Sequence, residues 1–147
     1  MAKRLPHKEA ARYRRYRAEA FSRGRCKKCR SREHLPGKTQ CRTCILQRAA
    51  RVHLGDKGRA GELEALLLAQ CNRCGYTFRE IDIGRGASVE HISPLSRTPD
   101  RAFDIGNLRW VHWEINRMKG TLTVEEFIQS CKEVLEGFGY DIIEREK

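Results

Sequence analysis

Two pairs of cysteines near the start of the sequence constrain its fold more than any other feature. Cys26 and Cys29 form the first pair, Cys41 and Cys44 form the second, and each pair encloses two residues. Four thiols at this spacing are typical of a tetrahedral zinc site, which lets a short segment fold without a large apolar core. Two disulfide bonds are the alternative, but the first residues are polar and basic without a recognisable signal peptide, so an oxidising compartment is not indicated. We therefore predict a structural Zn²⁺ site.

The same part of the sequence is strongly basic. Residues 1–60 carry 19 Lys and Arg side chains against 4 Asp and Glu, whereas residues 61–147 carry 11 against 15. A polycation of this kind is expected to bind the phosphate backbone of a nucleic acid, because each neutralised phosphate releases counterions. The alternative is a solvated charged segment without a partner. We expect nucleic-acid binding whose affinity falls as the salt concentration rises.

One helix is predicted within this basic region, over residues 7–23, with Gly24 placed to end it. Tyr13, Tyr16 and Ala20 follow a helical stripe that is expected to pack on the zinc module while the arginines face outward. An arginine can hold a phosphate through two donors or read guanine in the major groove. The arginines of this helix that are expected to contact nucleic acid are Arg12, Arg14, Arg15 and Arg17.

A different chemistry begins further along the chain, at a glutamate followed by a histidine. Residues 88–93 alternate in polarity and include β-branched residues, so they predict the end of a strand. Glu90 and His91 would be presented there, just before a turn started by Pro94. The pattern therefore places a carboxylate and an imidazole side by side at the edge of a strand.

The following residues add an amide to this pair. Residues 108–111 predict a second short strand and residues 112–119 a helix, on which His112 and Asn116 share one face. A carboxylate, an imidazole and an amide can thus converge on one small volume. Hydrolysis of a phosphodiester needs a base that activates water and a cation that stabilises the charge on the phosphate and the leaving oxygen.

These residues lie in the stretches CNRCGYTF, SVEHISPLS and GNLRWVHWEINRMKG, which resemble the ββα-metal module of the HNH endonuclease family. The resemblance covers about residues 71 to 120. A basic helix and a four-cysteine knuckle ahead of such a module look like those of phage-encoded HNH enzymes and of small ββα-metal restriction enzymes.

The resemblance implies a role for each residue. His91 would be the general base, and Glu90 and Asn116 would hold one divalent cation, Mg²⁺ or Mn²⁺, which prefer oxygen ligands. Asn107 would tie the ββα loop together and orient His91. The family usually has Asp where this chain has Glu90, and many members have His where it has Asn116, so the geometry around the cation is left open. The remaining candidates are His112 as a site residue or a packed helix residue, and Arg109 and Lys119 as DNA contacts.

A second zinc site is an open alternative. Many family members complete a Cys71–Cys74 knuckle with a second cysteine pair, at positions that match His112 and Ile115 here, and isoleucine cannot bind zinc. A second Zn²⁺ would therefore need Cys71, Cys74, His112 and a fourth ligand such as Cys131 or water. Otherwise these cysteines are reduced thiols.

The expected fold is α+β, with a ββα-metal (HNH) core flanked by helices and an N-terminal basic helix and zinc knuckle. Residues 1–54 are expected to form the basic helix and zinc-binding module, residues 55–61 a linker, and residues 62–147 the nuclease domain. A capping box from Thr123 to Glu126 predicts a last helix whose apolar face belongs to the core.

The expected function is divalent-metal-dependent cleavage of DNA through a histidine-activated water, sequence-specific if the enzyme is of the restriction or homing type. The alternative is a zinc-dependent DNA- or RNA-binding protein without nuclease activity. The expected partner is double-stranded DNA, and a symmetric homodimer is expected if both strands are cut. The sequence has no apolar run of membrane-spanning length, so a soluble, intracellular protein encoded by a bacterium or phage is expected.

Overall fold

The computed structural model describes residues 7–143, with side chains from Glu9 onward. Within this part of the chain the protein is mixed α and β, with five α-helices and one two-stranded antiparallel sheet. The chain divides into two compact units, Met1–Leu63 and Glu64–Lys147. No helix of the described residues is long and apolar enough to cross a lipid bilayer. The predicted combination of helices and strands is confirmed, whereas the domain ranges and the ββα-metal core stay predictions.

The first unit begins with the predicted basic helix. Helix α1 spans His7–Ser22 and ends at Gly24, whose φ of +70° is a left-handed conformation that glycine adopts without strain. The N–H of Arg25 then bonds back to the carbonyl of Ala20 over 2.8 Å. This bond satisfies a carbonyl that the end of the helix leaves without an intrahelical donor.

A second helix follows the cysteines. Helix α2 spans Arg42–His53 with Cys41 at its N-cap, and it buries Leu46 and Ala50. The stretch predicted as a linker, residues 55–61, holds a 3₁₀ turn in which Asp56 accepts a hydrogen bond from the N–H of Gly58. The first residues of helix α3, Ala60–Ala69, lie in the same stretch.

The second unit contains the sheet. Strand β1, Ala87–His91, pairs antiparallel with strand β2, Leu108–His112, and Glu90 lies opposite Arg109. Helix α4, Trp113–Lys119, follows β2 directly and packs against both strands. The apolar residues of the strands are buried as expected for a small core, and they are Val89, Leu108, Trp110 and Val111.

The outer edge of β2 is occupied by the residues that follow α3. The side-chain amide of Gln70 accepts from the N–H of Trp110 and donates to its carbonyl, both over 2.9 Å. The N–H of Gly75 donates to the same carbonyl over 3.0 Å. These bonds fix the loop around residues 71–80 against the sheet.

The last helix, α5, spans Val124–Gly137 and begins with the predicted capping box between Thr123 and Glu126. Phe127 is buried, but most of the apolar face lies in solvent, including Ile128, Val134 and Leu135. The expectation that this face belongs to the core is thus met at its N-terminal end only. Helix α4 is too short to cover a helix twice its length.

Candidate functional site

The four cysteines of the first unit form a candidate metal centre. The sulfurs of Cys26, Cys29, Cys41 and Cys44 all lie within 4.8 Å of one another, and those of Cys29 and Cys41 are 3.8 Å apart. A tetrahedral zinc with Zn–S bonds of about 2.3 Å separates its sulfurs by about 3.8 Å. All seven cysteines of the chain are free thiols rather than disulfides. The geometry is therefore compatible with a structural zinc site, as the spacing predicted.

The environment of these thiols differs from one to the next. Burial opposes ionisation of Cys29, but hydrogen bonds from Ser31 and Arg32 lower its pKa to about 5. Burial raises the pKa of Cys44 to about 12, and the neighbouring thiols add to the effect. Four thiolates this close repel one another, so a divalent cation is what allows all of them to be ionised together.

The second candidate site centres on Glu90, near the end of β1. This carboxylate is 3% exposed, and one of its oxygens accepts a hydrogen bond from the hydroxyl of Tyr76. Its other oxygen lies 3.5 Å from the ammonium of Lys119. Burial raises the pKa of Glu90, while Tyr76 and Lys119 favour its charged form. The sequence did not single out Tyr76, whose only signal was an aromatic residue next to a cysteine pair.

His91 is the last residue of β1 and lies next to Glu90 along the strand. Its Nε2 is 3.3 Å from the carbonyl oxygen of Ala102. Because a carbonyl can only accept, this contact places the proton of a neutral ring on Nε2 and the basic lone pair on Nδ1. The contact with Ala102 therefore restricts the orientation of the His91 ring.

Asn107 fastens the two ends of the long connection between the strands. Its side chain is fully buried, accepts from the N–H of Ser93 over 2.8 Å, and donates to the carbonyl of Ser93 over 3.1 Å. The carbonyl of Asn107 also accepts from the N–H of Ile92. The loop that follows His91 is therefore held by the side chain of Asn107.

Asn116 reaches from α4 to β1. Its Nδ2 donates to the hydroxyl of Ser88 over 2.8 Å and to the carbonyl of Val89 over 3.3 Å. Within the described residues these bonds use the nitrogen, so the amide oxygen is the atom that Asn116 can offer to a cation. A carboxylate on β1 and an amide oxygen on α4 are suitable ligands for Mg²⁺ or Mn²⁺, which protein sites often hold through one or two such groups.

The two basic residues of the second unit that were expected to contact DNA have different environments. Lys119 is 1% exposed and donates to the carbonyl of His91 over 3.2 Å, so the expected phosphate contact is corrected to an internal ion pair with Glu90. Arg109 is half-buried, lies 4.9 Å above the ring of Tyr76, and donates to the carbonyl of Gly75. A Cβ at Gly75 would fall 2.1 Å from the Arg109 side chain, so glycine is needed there.

His112 lies away from this group. It pairs with Ala87, whereas His91 pairs with Leu108, so the two histidines are on residues at opposite ends of the sheet. Four residues of a strand span about 13 Å. Among the described residues the Nε2 of His112 is buried without a hydrogen-bond partner. The interpretation as a packed residue fits this position better than a catalytic role.

The turn that was expected between Cys71 and Cys74 lies instead after Cys74. The tight turn begins at Cys74, whose carbonyl accepts from the N–H of Phe78, while Cys71 is exposed just after α3. Burial opposes ionisation of Cys74, but donors from Thr77, Tyr76 and His112 lower the pKa of its thiol. The metal-ligating groups found in the described residues include neither Cys71 nor Cys74, so the second zinc receives no support.

Comparison with known proteins found no matching protein-family model and no significant match among curated proteins. The resemblance to HNH endonucleases therefore rests on the residues and the geometry described above.

Proposed function

We propose that the second unit is a metal-dependent DNA endonuclease of the HNH type. The observation that carries the proposal is the buried amide of Asn107, which fastens both ends of the loop between β1 and β2 beside Glu90 and His91. A loop fastened in this way holds a histidine and a carboxylate in a fixed geometry, which catalysis requires.

In the proposed reaction, His91 takes a proton from the attacking water. In this proposal Nδ1 acts as the base, because Nε2 contacts the carbonyl of Ala102. General base catalysis by a positioned imidazole contributes roughly 10²–10⁴-fold to a rate. Asn107 acts on this step through the loop and does not touch the reacting atoms.

Glu90 and Asn116 would hold the divalent cation. When bound, Mg²⁺ or Mn²⁺ supplies stabilisation of the negative charge on the phosphate and on the leaving oxygen. Burial raises the pKa of Glu90, and Lys119 opposes this by favouring the charged form, since the ammonium lies 3.5 Å from the carboxylate. The same lysine also holds the backbone of His91, so one side chain links the proposed ligand to the proposed base.

The first unit supplies DNA affinity in this proposal. Arg12, Arg14 and Arg15 are exposed and make no hydrogen bond or ion pair among the described residues, so their guanidinium groups are available to phosphates. Arg17 differs, because it is half-buried and its Nε donates to the carbonyl of Lys27 over 3.1 Å. We assign Arg17 to holding α1 on the zinc module.

The experiment that tests the proposal is cleavage of long duplex DNA of diverse sequence at low salt with added Mg²⁺. His91→Ala should lower the rate about 100-fold or more. His112→Ala is the matched control, because this histidine lies at the other end of the sheet, and it should leave cleavage close to wild type. The metal control should be zinc-loaded protein without added Mg²⁺. EDTA is unsuitable, because it would also remove Zn²⁺ from the first unit.

The second candidate function is a zinc-dependent DNA- or RNA-binding protein. The burial of Glu90 and its ion pair with Lys119 favour it, because both groups could serve only to stabilise the fold. Tight, salt-sensitive binding without strand breaks, over several divalent cations, would support this function and overturn the endonuclease.

A further inference from the structure

Glu90 lies where the HNH family, which this unit resembles, usually has Asp. The residues around Glu90 explain how the longer side chain can act as the metal ligand. The hydroxyl of Tyr76 donates to one carboxylate oxygen, and Lys119 lies beside the other. Each oxygen of the carboxylate thus has its own fixed partner. An aspartate, shorter by one methylene, would not reach both.

Besides its hydrogen bond to Glu90, Tyr76 is held by contacts from two further residues. The guanidinium of Arg109 lies 4.9 Å from the centre of its ring, and the ring of Phe127 meets it edge-on at 6.1 Å. Arg109 can lie there because residue 75 is glycine, and it donates to the carbonyl of that glycine. The phenol is therefore a rigid donor rather than a mobile surface group.

We propose that Tyr76 is a positioning residue matched to the length of Glu90, and that the two side chains act as a pair. This inference rests on the proposed function in taking Glu90 as a ligand of the divalent cation. Tyr76 fixes the carboxylate so that its remaining lone pairs are directed consistently. Without the hydroxyl, the longer arm of glutamate samples several rotamers and loses affinity for the cation.

The test is a double-mutant cycle of Tyr76→Phe, Glu90→Asp and the double variant in the full-length, zinc-loaded protein. Two quantities are measured: the Mn²⁺ dissociation constant by electron paramagnetic resonance, and the Mg²⁺ concentration that gives half-maximal cleavage. Each single variant should weaken both about tenfold, as expected for a lost hydrogen bond to a charged group. The double variant should be no weaker than the worse single variant, since each change breaks the same contact.

Tyr140→Phe is the matched control, because Tyr140 is exposed at the end of α5 and should change neither quantity. Wild-type values for Tyr76→Phe, or strictly additive losses in the double variant, would overturn the pairing. The absence of any Mn²⁺ binding in the wild type would overturn it as well. If the wild type binds Mn²⁺ but cuts no DNA, the proposed function fails while the Mn²⁺ cycle still decides the role of Tyr76. If Tyr76→Phe does not fold, Glu90→Asp alone must lose Mn²⁺ affinity.

Discussion

The chain contains two knuckles with closely similar backbones, residues 25–33 in the first unit and residues 73–80 in the second. In each, a buried cysteine accepts through its carbonyl from the N–H four residues later, and that residue has a positive φ, +63° at Arg30 and +55° at Phe78. A short antiparallel bridge closes both loops. The first knuckle supplies two of the four thiols of the candidate zinc site, whereas the second contains a single thiol, that of Cys74.

The comparison extends to the helix that follows each knuckle. Cys41 caps α2 in the first unit, and His112 caps α4 in the second. The positions that correspond to the four cysteines are, in order, Cys74, Thr77, His112 and Ile115. In the second knuckle, hydrogen bonds from N–H and hydroxyl groups lower the pKa of the single thiol without a cation. A turn of this shape therefore does not by itself predict a metal.

The largest effect is expected from breaking the four-cysteine site of the first unit with Cys44→Ser. The first unit should lose zinc and unfold, because structural zinc contributes roughly 10–16 kcal/mol in small zinc-dependent folds. The second unit should keep its own structure. Zinc content per chain and amide-resolved NMR spectra measure both outcomes.

Cys71→Ser is the control for this experiment, since Cys71 is exposed and lies outside the second knuckle turn. One zinc per wild-type chain, retained in Cys71→Ser, is expected. Two zinc ions per chain would show that the second unit also binds zinc, against the expected difference between the knuckles.

A smaller effect is expected from Cys74→Ala in the second knuckle. The donors of Thr77, Tyr76 and His112 would lose their buried acceptor, which costs about 1–3 kcal/mol for an unsatisfied group. Zinc content should stay at one per chain. Denaturant unfolding gives the change in the free energy of unfolding, and a loss of zinc would show that Cys74 is a ligand after all.

The smallest effect is expected from removing a hydroxyl group that donates to a thiol, either that of Cys29 or that of Cys74. Thr77→Val removes a donor to Cys74 and should lower the free energy of unfolding by about 1 kcal/mol. Ser31→Ala removes a donor to Cys29, where bound zinc dominates, and should cost less. Equal losses in thermal or denaturant unfolding would mean that the two thiols are stabilised in the same way.

Much of the local structure could be predicted from the sequence. Gly24 ended α1 as expected, the capping box at Thr123 opened α5, and the alternating residues around Glu90 formed a strand. These features depend on residues close to one another along the chain, so their signals are local. The spacing of the four cysteines was equally informative, because a tetrahedral site restricts the loops between its ligands.

The features that were missed depend on distant residues. The pair Cys71–Cys74 matched the expected spacing, but the turn starts one cysteine later because Gln70 and Gly75 bind the edge of β2. Lys119 was expected at the surface and is buried, since its partner Glu90 lies 29 residues earlier in the chain. Helix α2 was missed because its apolar residues are mixed with arginines.

The contact of Gln70 with Trp110 also bears on solubility. A sheet of two strands has an outer edge on each strand, and unpaired edge groups can recruit a strand from another molecule. The amide of Gln70 bonds both backbone groups of Trp110, as a neighbouring strand would, and the N–H of Gly75 adds a third bond. The middle of β2 is thereby closed to strand addition, because both backbone groups of Trp110 are already bonded within the chain.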